Sequence, residues 1–315
     1  MDKRVYGVLG IKSIMANWNA DFTGYPKTTS DGSTFGSDKA FKYPMKKMWE
    51  DEGEKVLYIK SMKISKDNKN NVQLVPRSLK ERYEYLFKIE DLKKCKDASL
   101  VISNLFECID VKNFGATFAE EGNNVSITGA VQLGQGFNKY KDTTPEEQQI
   151  LSPFRDPKKS NNQDQTESKS STLGTKIVSN EAHYFYPFAI NPSAYKNYQE
   201  LELTEGYIED DYKKFKDTSL KAATSYSTNS KMGCENEFGL FVETERDLYL
   251  PDLSQYIQFE KSQDKNIIRI TCSELINSLS DKIKAVEIYI NPDTTKLESD
   301  IKGAKIYNIF TQKEV

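Results

Sequence analysis

Residues 4–14, RVYGVLGIKSI, place apolar side chains in both sets of a two-residue alternation. That pattern reads as a strand buried on both faces, because a half-exposed strand would alternate with polar residues. The strand leads into a polar loop rich in Gly, Asn and Thr, Asn17 to Gly36, long for a compact domain. Loops of that size are usually functional or disordered. The loop ends at Ser37-Asp38, residues suited to an N-cap, and a helical pattern continues to about Glu52. Pro44 inside it predicts a kink or a short break.

Outward from this unit, residues 54–64 (EKVLYIKSMKI) read as another strand, and Leu79–Leu92 and Ala98–Cys108 as helices. Strand-like Val111–Phe118 and Val125–Leu133 flank a turn at Glu121-Gly122-Asn123-Asn124, which predicts a hairpin. Between residues 141 and 176 Pro, Ser, Asn, Gln, Asp and Lys dominate, so this stretch reads as an exposed excursion. A strand at His183–Ile190 and a helix at Glu205–Ala223 follow. Strands at Phe238–Thr244 and Ile267–Cys272, a helix at Ser273–Leu279 and a strand at Ala285–Ile290 complete the chain. No internal repeat is present. Strands and helices neither alternate strictly nor segregate, which points to α+β, and a ferredoxin-like sheet carrying insertions is the expected architecture. Fold alone would not give function.

The chain has 315 residues, enough for one large domain with insertions or for two domains. With 37% apolar and 29% charged residues and a mean hydropathy of −0.67, it has the balance of a protein with much solvated or partner-facing surface. No run approaches the roughly 18 apolar residues of a membrane span. The start shows no secretory cleavage site, so a cytoplasmic protein without membrane contact is expected. The one histidine, His183, removes every two-histidine metal site. Cys95, Cys108, Cys234 and Cys272 stand far apart without a C-x-x-C pair and read as reduced thiols. No metal or cofactor is expected.

Lys plus Arg is 44 against 47 Asp plus Glu, a net of −3, so the chain is no globally basic coat. Residues 1–48 nevertheless carry eight basic and four acidic residues, a net of +4, whereas residues 200–260 carry six and fourteen, a net of −8. This polarity suggests a polyanion site near the N-terminus, or self-association between unlike surfaces. On the helix after the loop, Lys39, Lys42 and Lys46 fall on one stripe, opposite Phe41, Met45, Met48 and Trp49. Such a face is either ordinary solvated surface or a phosphate-tracking face beside a loop and a helix N-terminus. Asn17-Trp18-Asn19 suits a structural turn, and Trp18 alternatively a stacking platform for a base. The run Gly129 to Lys139 ends a strand with three glycines and several amides, and small residues let one backbone lie close to another. It matches neither the P-loop nor the dinucleotide fingerprint.

Catalysis finds little support. Asp21, Asp31 and Asp38 are of a type that holds Mg²⁺, but loop aspartates more often form turns or caps. His183 sits in an apolar, aromatic strand, where a core or edge role outweighs acid–base work.

The run RVYGVLGIKSIMANWNADFTGYPKTTSDGSTFGSDKAFKYPMKKMW (4–49) resembles the N-terminus of the CRISPR-associated backbone family, the seventh Cas family, in its Csh (type I-B) subtype. NFGATFA (113–119), ITGAVQLGQGFNK (127–139) and GCENEFGLFVE (233–243) are similar too, in consistent order. The resemblance implies a non-catalytic CRISPR RNA-binding subunit of the Cascade surveillance complex. Its implied fold is a modified RRM, a palm with fingers and a thumb. The whole chain, 1–315, would be one RRM-like domain, with loop and fingers inserted at about 15–105 and a thumb at about 141–176. Copies would polymerise in a helical filament along the guide, bind its backbone beside other Cascade subunits, and leave its bases free to pair with target DNA.

Carried onto this sequence, the resemblance makes Lys27, Lys39 and Lys42 the first choice for phosphate contacts; Lys12, Lys46, Asn17, Trp18, Asn19 and Lys139 complete the expected RNA-binding set. It places Gln132, Gln135 and Asn138 near the RNA. In the thumb, Leu151 and Phe154 are the wedge candidates and Arg155 a phosphate partner. Two alternatives stand beside this reading. One is a metal-dependent ribonuclease using Asp21 or Asp31; the other is a scaffold assembled by protein contacts alone.

Overall fold

The computed structural model describes residues 1–67, 70–95, 97–151 and 172–315. Its centre is the strand Arg4–Ala16, which lies inside a nine-stranded sheet. One side pairs antiparallel with Thr172–Ile190 and the other with Cys234–Thr244. Beyond Cys234–Thr244 come Ile283–Ile290 and then Lys305–Asn308. Beyond Thr172–Ile190 come Gly136–Asn138 and then Phe35–Gly36. Val131–Leu133 and Pro145–Leu151 pair with other parts of Thr172–Ile190. Among the described residues every pairing in this sheet is antiparallel except that of Ile283–Ile290 with Lys305–Asn308.

The first strand is apolar on both faces because each face meets a separate core. Val5, Leu9 and Ile11 join a core that includes Phe41, Met45, Trp49, Tyr186, Phe188 and Phe215. Tyr6 and Val8 point the other way, into a core with Phe238, Leu240, Ile268 and Ile288. A three-stranded sheet of Ile257–Glu260, Asn266–Ile270 and Thr295–Glu298, with the helix Ser273–Ser278, contributes to this second core. The α+β reading therefore stands. Among the described residues no helix is long and apolar enough to cross a membrane.

Several local expectations are corrected. Residues 54–58 form no strand, because the backbone N–H groups of Leu57 and Tyr58 donate to the Asp110 carboxylate, each at 2.8 Å. The strand lies later, at Met62–Lys66, paired with Val72–Pro76. Residues 109–114 are helical rather than extended. The expected strand Val125–Leu133 is two strands in different sheets, Asn123–Thr128 and Val131–Leu133. The hairpin across 121–124 forms as read, between Gly115–Glu120 and Asn123–Thr128. The helix Asp38–Asp51 runs through Pro44 without interruption. Pro145–Leu151, exposed along its length, pairs with Thr172–Ser179 as a ribbon leading away from the sheet.

Candidate nucleic-acid interface

The helix Asp38–Asp51 is held at its start by two side chains. Ser37 Oγ accepts from the Ala40 N–H at 3.3 Å, and Asn19 Oδ1 accepts from the Ser37 N–H at 2.7 Å. Such caps satisfy N–H groups that the first helical turn leaves unpaired. The buried face is pinned by aromatic contacts. Phe41 stacks on Tyr186 with ring centroids 5.2 Å apart, and Trp49 Nε1 donates to Thr218 Oγ1 at 2.8 Å. With that face anchored, the lysine stripe is turned toward the hairpin Gly115–Thr128.

Between helix and hairpin lies a groove of about 620 Å³. Asp38, Lys39, Lys42, Tyr43 and Lys46 line one side, and Tyr58, Phe114, Gly115, Ala116, Thr117 and Ile127 line the rest. The open end of the hairpin is held close by glycine. A Cβ on Gly115, whose φ is +82°, would stand 2.2 Å from the Ile127 carbonyl oxygen, and one on Gly129 would stand 2.2 Å from the carbonyl carbon of Phe114. Any side chain there would push the two backbones apart.

The three lysines are not equivalent. Lys39 is exposed and makes no ion pair among the described residues. Lys42 pairs with Asp38 at 2.8 Å, and its ammonium sits 5.0 Å from the Phe114 ring centroid. Lys46 is largely buried, 3.5 Å from Asp110 and 3.4 Å from the Tyr58 carbonyl. Burial pulls its pKa below the usual lysine value, although the Asp110 charge opposes the shift. The expectation of three ammonium groups projecting together is therefore corrected: Lys46 is tied into the floor. Burial and the Asp110 charge push the Tyr58 hydroxyl up to about 12.

Other expected contact residues are dispersed. Lys12 pairs with Glu235 at 2.8 Å, while Lys27 lies over the Phe35 ring at 5.8 Å. Trp18 is fully buried and its Nε1 donates to the Tyr186 hydroxyl at 2.5 Å, so the stacking-platform reading does not hold for it. Asn17 is also buried, donating to the carbonyls of Gly24 and Ile177. Gln132 is exposed and bonds back to the Gly129 carbonyl, and Gln135 reaches Asp38 Oδ1 at 3.4 Å, beside the groove. Asn138 is a clamp: its Nδ2 donates to Thr143 Oγ1 and the Tyr140 carbonyl, and its Oδ1 accepts from the His183 N–H. Lys139 is half-buried, and its N–H donates to the His183 carbonyl. Leu151 is 61% exposed on the ribbon, whereas Phe154 and Arg155 lie outside the described residues.

Part of the basic excess at the N-terminus is neutralised internally, since Lys3, Lys12, Lys42, Lys46 and Lys47 all hold carboxylates. Asp21 Oδ1 accepts from the Thr23 and Tyr25 N–H groups, and Asp31 Oδ1 from the Ser33 N–H, so both shape turns. Among the described residues no group of three metal-ligating side chains occurs. Sequence reasoning missed the aromatic wall of Tyr58 and Phe114, and Asp110, which organises it.

The profile of the CRISPR-associated protein Cas7 family matches residues 3–280 of this chain. The chain belongs to the Cas7 family. A solved structure titled "CRISPR RNA-guided surveillance complex, pre-nicking" is similar over 96% of each chain, at 14% identity and a TM-score of 0.52. Another, titled "CRISPR RNA-guided surveillance complex", is similar over 92% of this chain and 91% of the other, at 15% identity and a TM-score of 0.45. No curated protein matches. At 14% identity the first likeness speaks to the fold of this Cas7 chain. The lysine groove is argued from its own geometry.

Proposed function

We propose that the chain is a non-catalytic, CRISPR RNA-binding backbone subunit of a type I-B (Csh) Cascade complex. Copies polymerise along the guide spacer in the cytoplasm, beside other Cascade subunits, and leave the bases free to pair with target DNA. The observation that carries this reading is the groove between Asp38–Asp51 and Gly115–Thr128, in a chain of the Cas7 family. It sets cations on one wall and aromatic faces on another, which suits a sugar–phosphate strand bound without regard to sequence.

The sheet supports an RRM-like palm. Cys234–Thr244, Arg4–Ala16, Thr172–Ile190 and Gly136–Asn138 stand side by side and antiparallel, as the fourth, first, third and second strands of a ferredoxin-like unit do. In this reading the ribbon of Pro145–Leu151 and Thr172–Ser179 belongs to the thumb, and the insertion before residue 105 to the fingers. Asp21 and Asp31, engaged in their turns, leave target cleavage to other subunits.

Binding to unrelated RNA oligonucleotides across a salt series tests the reading. Four to six phosphate contacts per copy give a log–log slope of about −3 to −4, independent of sequence. Incubation of the assembled complex with labelled complementary RNA and Mg²⁺ leaves the RNA intact. Regular cuts lost in Asp21→Ala or Asp31→Ala would identify an enzyme instead.

A further inference from the structure

The turn at residues 228–233, just before the strand Cys234–Thr244, carries a lysine that lies outside the groove. Lys231 Nζ donates to the Asn17 carbonyl at 2.8 Å and to the Trp18 carbonyl, and it sits 5.2 Å from the Trp18 ring centroid. Asn17 and Trp18 are buried, and among the described residues no backbone N–H donates to either carbonyl. Buried carbonyls need a partner, and here one ammonium serves both. No carboxylate pairs with Lys231 among the described residues, and burial pulls its pKa below the usual lysine value. Holding an unpaired charge in such a place is costly, and an apolar residue would avoid that cost. The turn itself is fixed: the Lys231 and Met232 N–H groups donate to the Thr228 carbonyl at 3.0 and 2.9 Å, and the Asn17 N–H donates to the Ser230 carbonyl at 2.9 Å.

The clasped backbone leads directly into Asn19, which holds two segments at once. Its carbonyl accepts from the Lys27 N–H at 2.9 Å, and its Oδ1 accepts from the Ser37 N–H at 2.7 Å. The Lys27 carbonyl in turn accepts from the Phe35 N–H at 2.9 Å, so the loop closes on the start of the helix Asp38–Asp51. Lys42, Lys46 and Lys47 of that helix hold carboxylates, whereas Lys27 and Lys39 form no ion pair among the described residues. The two cations left for phosphate therefore hang from Asn19, and Asn19 follows the backbone that Lys231 grips. We infer that Lys231 is a positioning residue for RNA binding: its ammonium clasps the Asn17-Trp18 backbone and so sets, through Asn19, where Lys27 and Lys39 meet phosphate. The inference rests on the proposed function, which makes those two lysines phosphate contacts.

Binding of a short RNA oligonucleotide across a salt series tests it on the full chain. Lys231→Met weakens binding and flattens the log–log salt slope by about 1.4, the value of two single-strand phosphate contacts. In a Lys27→Gln/Lys39→Gln background the same substitution changes the slope no further, because the contacts it positions are already gone. Lys231→Arg, which keeps a charged donor, retains most of the wild-type slope. Hydrogen exchange without RNA reads the clasp itself: the Lys27 and Ser37 amides exchange about tenfold faster or more in Lys231→Met, while amides within Arg4–Ala16 stay protected. A chain that binds no RNA would refute the proposed function, and the exchange rates would still decide the clasp. Unchanged exchange in Lys231→Met overturns the inference. So does a slope that falls further in the Lys27→Gln/Lys39→Gln background, since Lys231 would then touch phosphate itself. If Lys231→Met does not fold, Lys231→Gln is read in its place, and loss of fold in both overturns the inference, because Lys231 would then serve the whole fold.

Discussion

The Lys46 ammonium lies 3.5 Å from the Asp110 carboxylate, whose side chain is wholly buried beneath the lysine groove. The same carboxylate accepts the N–H groups of Leu57 and Tyr58, so one side chain fixes both the groove floor and the segment that carries Tyr58. Replacing Asp110 with Ala strands a buried ammonium and two backbone donors. The expected cost is about 3–5 kcal/mol. Asp110→Asn keeps an acceptor and costs less. Urea unfolding midpoints at neutral pH measure both, and equal midpoints for Asp110→Ala and wild type would show the pair to be incidental.

Lys39 and Lys46 separate by their surroundings. Lys39 is exposed, so its ammonium is available to a phosphate, whereas Lys46 is committed to Asp110. Lys39→Gln flattens the salt slope of RNA binding by about 0.7 on any sequence, the value of one single-strand phosphate contact. Lys46→Gln shifts the unfolding midpoint and leaves the slope nearly unchanged. Equal slope changes in the two variants would mean that Lys46 swings out to bind.

The legible parts of this chain were those set by local chemistry. Apolar residues on both faces of 4–14 announced an interior strand, and Ser37 announced a helix start that its side chain caps. The glycine run around Gly129 announced close backbone approach, which the Gly115 crossing displays. Long-range partners carried no local signal. EKVLYIKSMKI has the composition of a strand, yet Leu57 and Tyr58 within it give their N–H groups to a carboxylate 53 and 52 residues away. Trp18 looked available in a polar loop, but Tyr186, 168 residues on, draws it into the core. Charge counting overstated the basic patch because the acids that neutralise Lys3 and Lys12 arrive from Glu243 and Glu235.

Trp18 offers a direct check on that burial. Trp18→Phe keeps an aromatic ring but a smaller one, and loses the hydrogen bond to Tyr186, itself worth about 1 kcal/mol. Trp18→Ala opens a cavity beside Phe41, at about 3–5 kcal/mol. The RNA affinity of folded Trp18→Phe equals wild type by filter binding. A large affinity loss with unchanged thermal stability would return Trp18 to the nucleic-acid surface.

His183 makes stability depend on pH. Its ring is buried between two carboxylates, with Nδ1 2.8 Å from Glu237 Oε2 and Nε2 2.9 Å from Glu181 Oε1, and it stacks on Phe259 at 3.8 Å. Lys261 holds Glu181 from outside, and Tyr140 meets the imidazole edge-on. Burial alone would lower the histidine pKa, but the charge and hydrogen bond of Glu237, joined by Glu181, raise it above the usual 6.5. The folded state therefore binds this proton more tightly than the unfolded chain. That stabilisation is complete below about pH 6.5, and it is lost as pH rises through the raised folded value. Above it, Glu237 is left buried beside a neutral ring. Urea titrations from pH 6 upward should show wild type losing stability across this window, while His183→Gln, less stable at pH 6, shows a flatter profile. A wild-type curve that rises over the same range would mean that the histidine is buried neutral, with the proton residing elsewhere in the cluster.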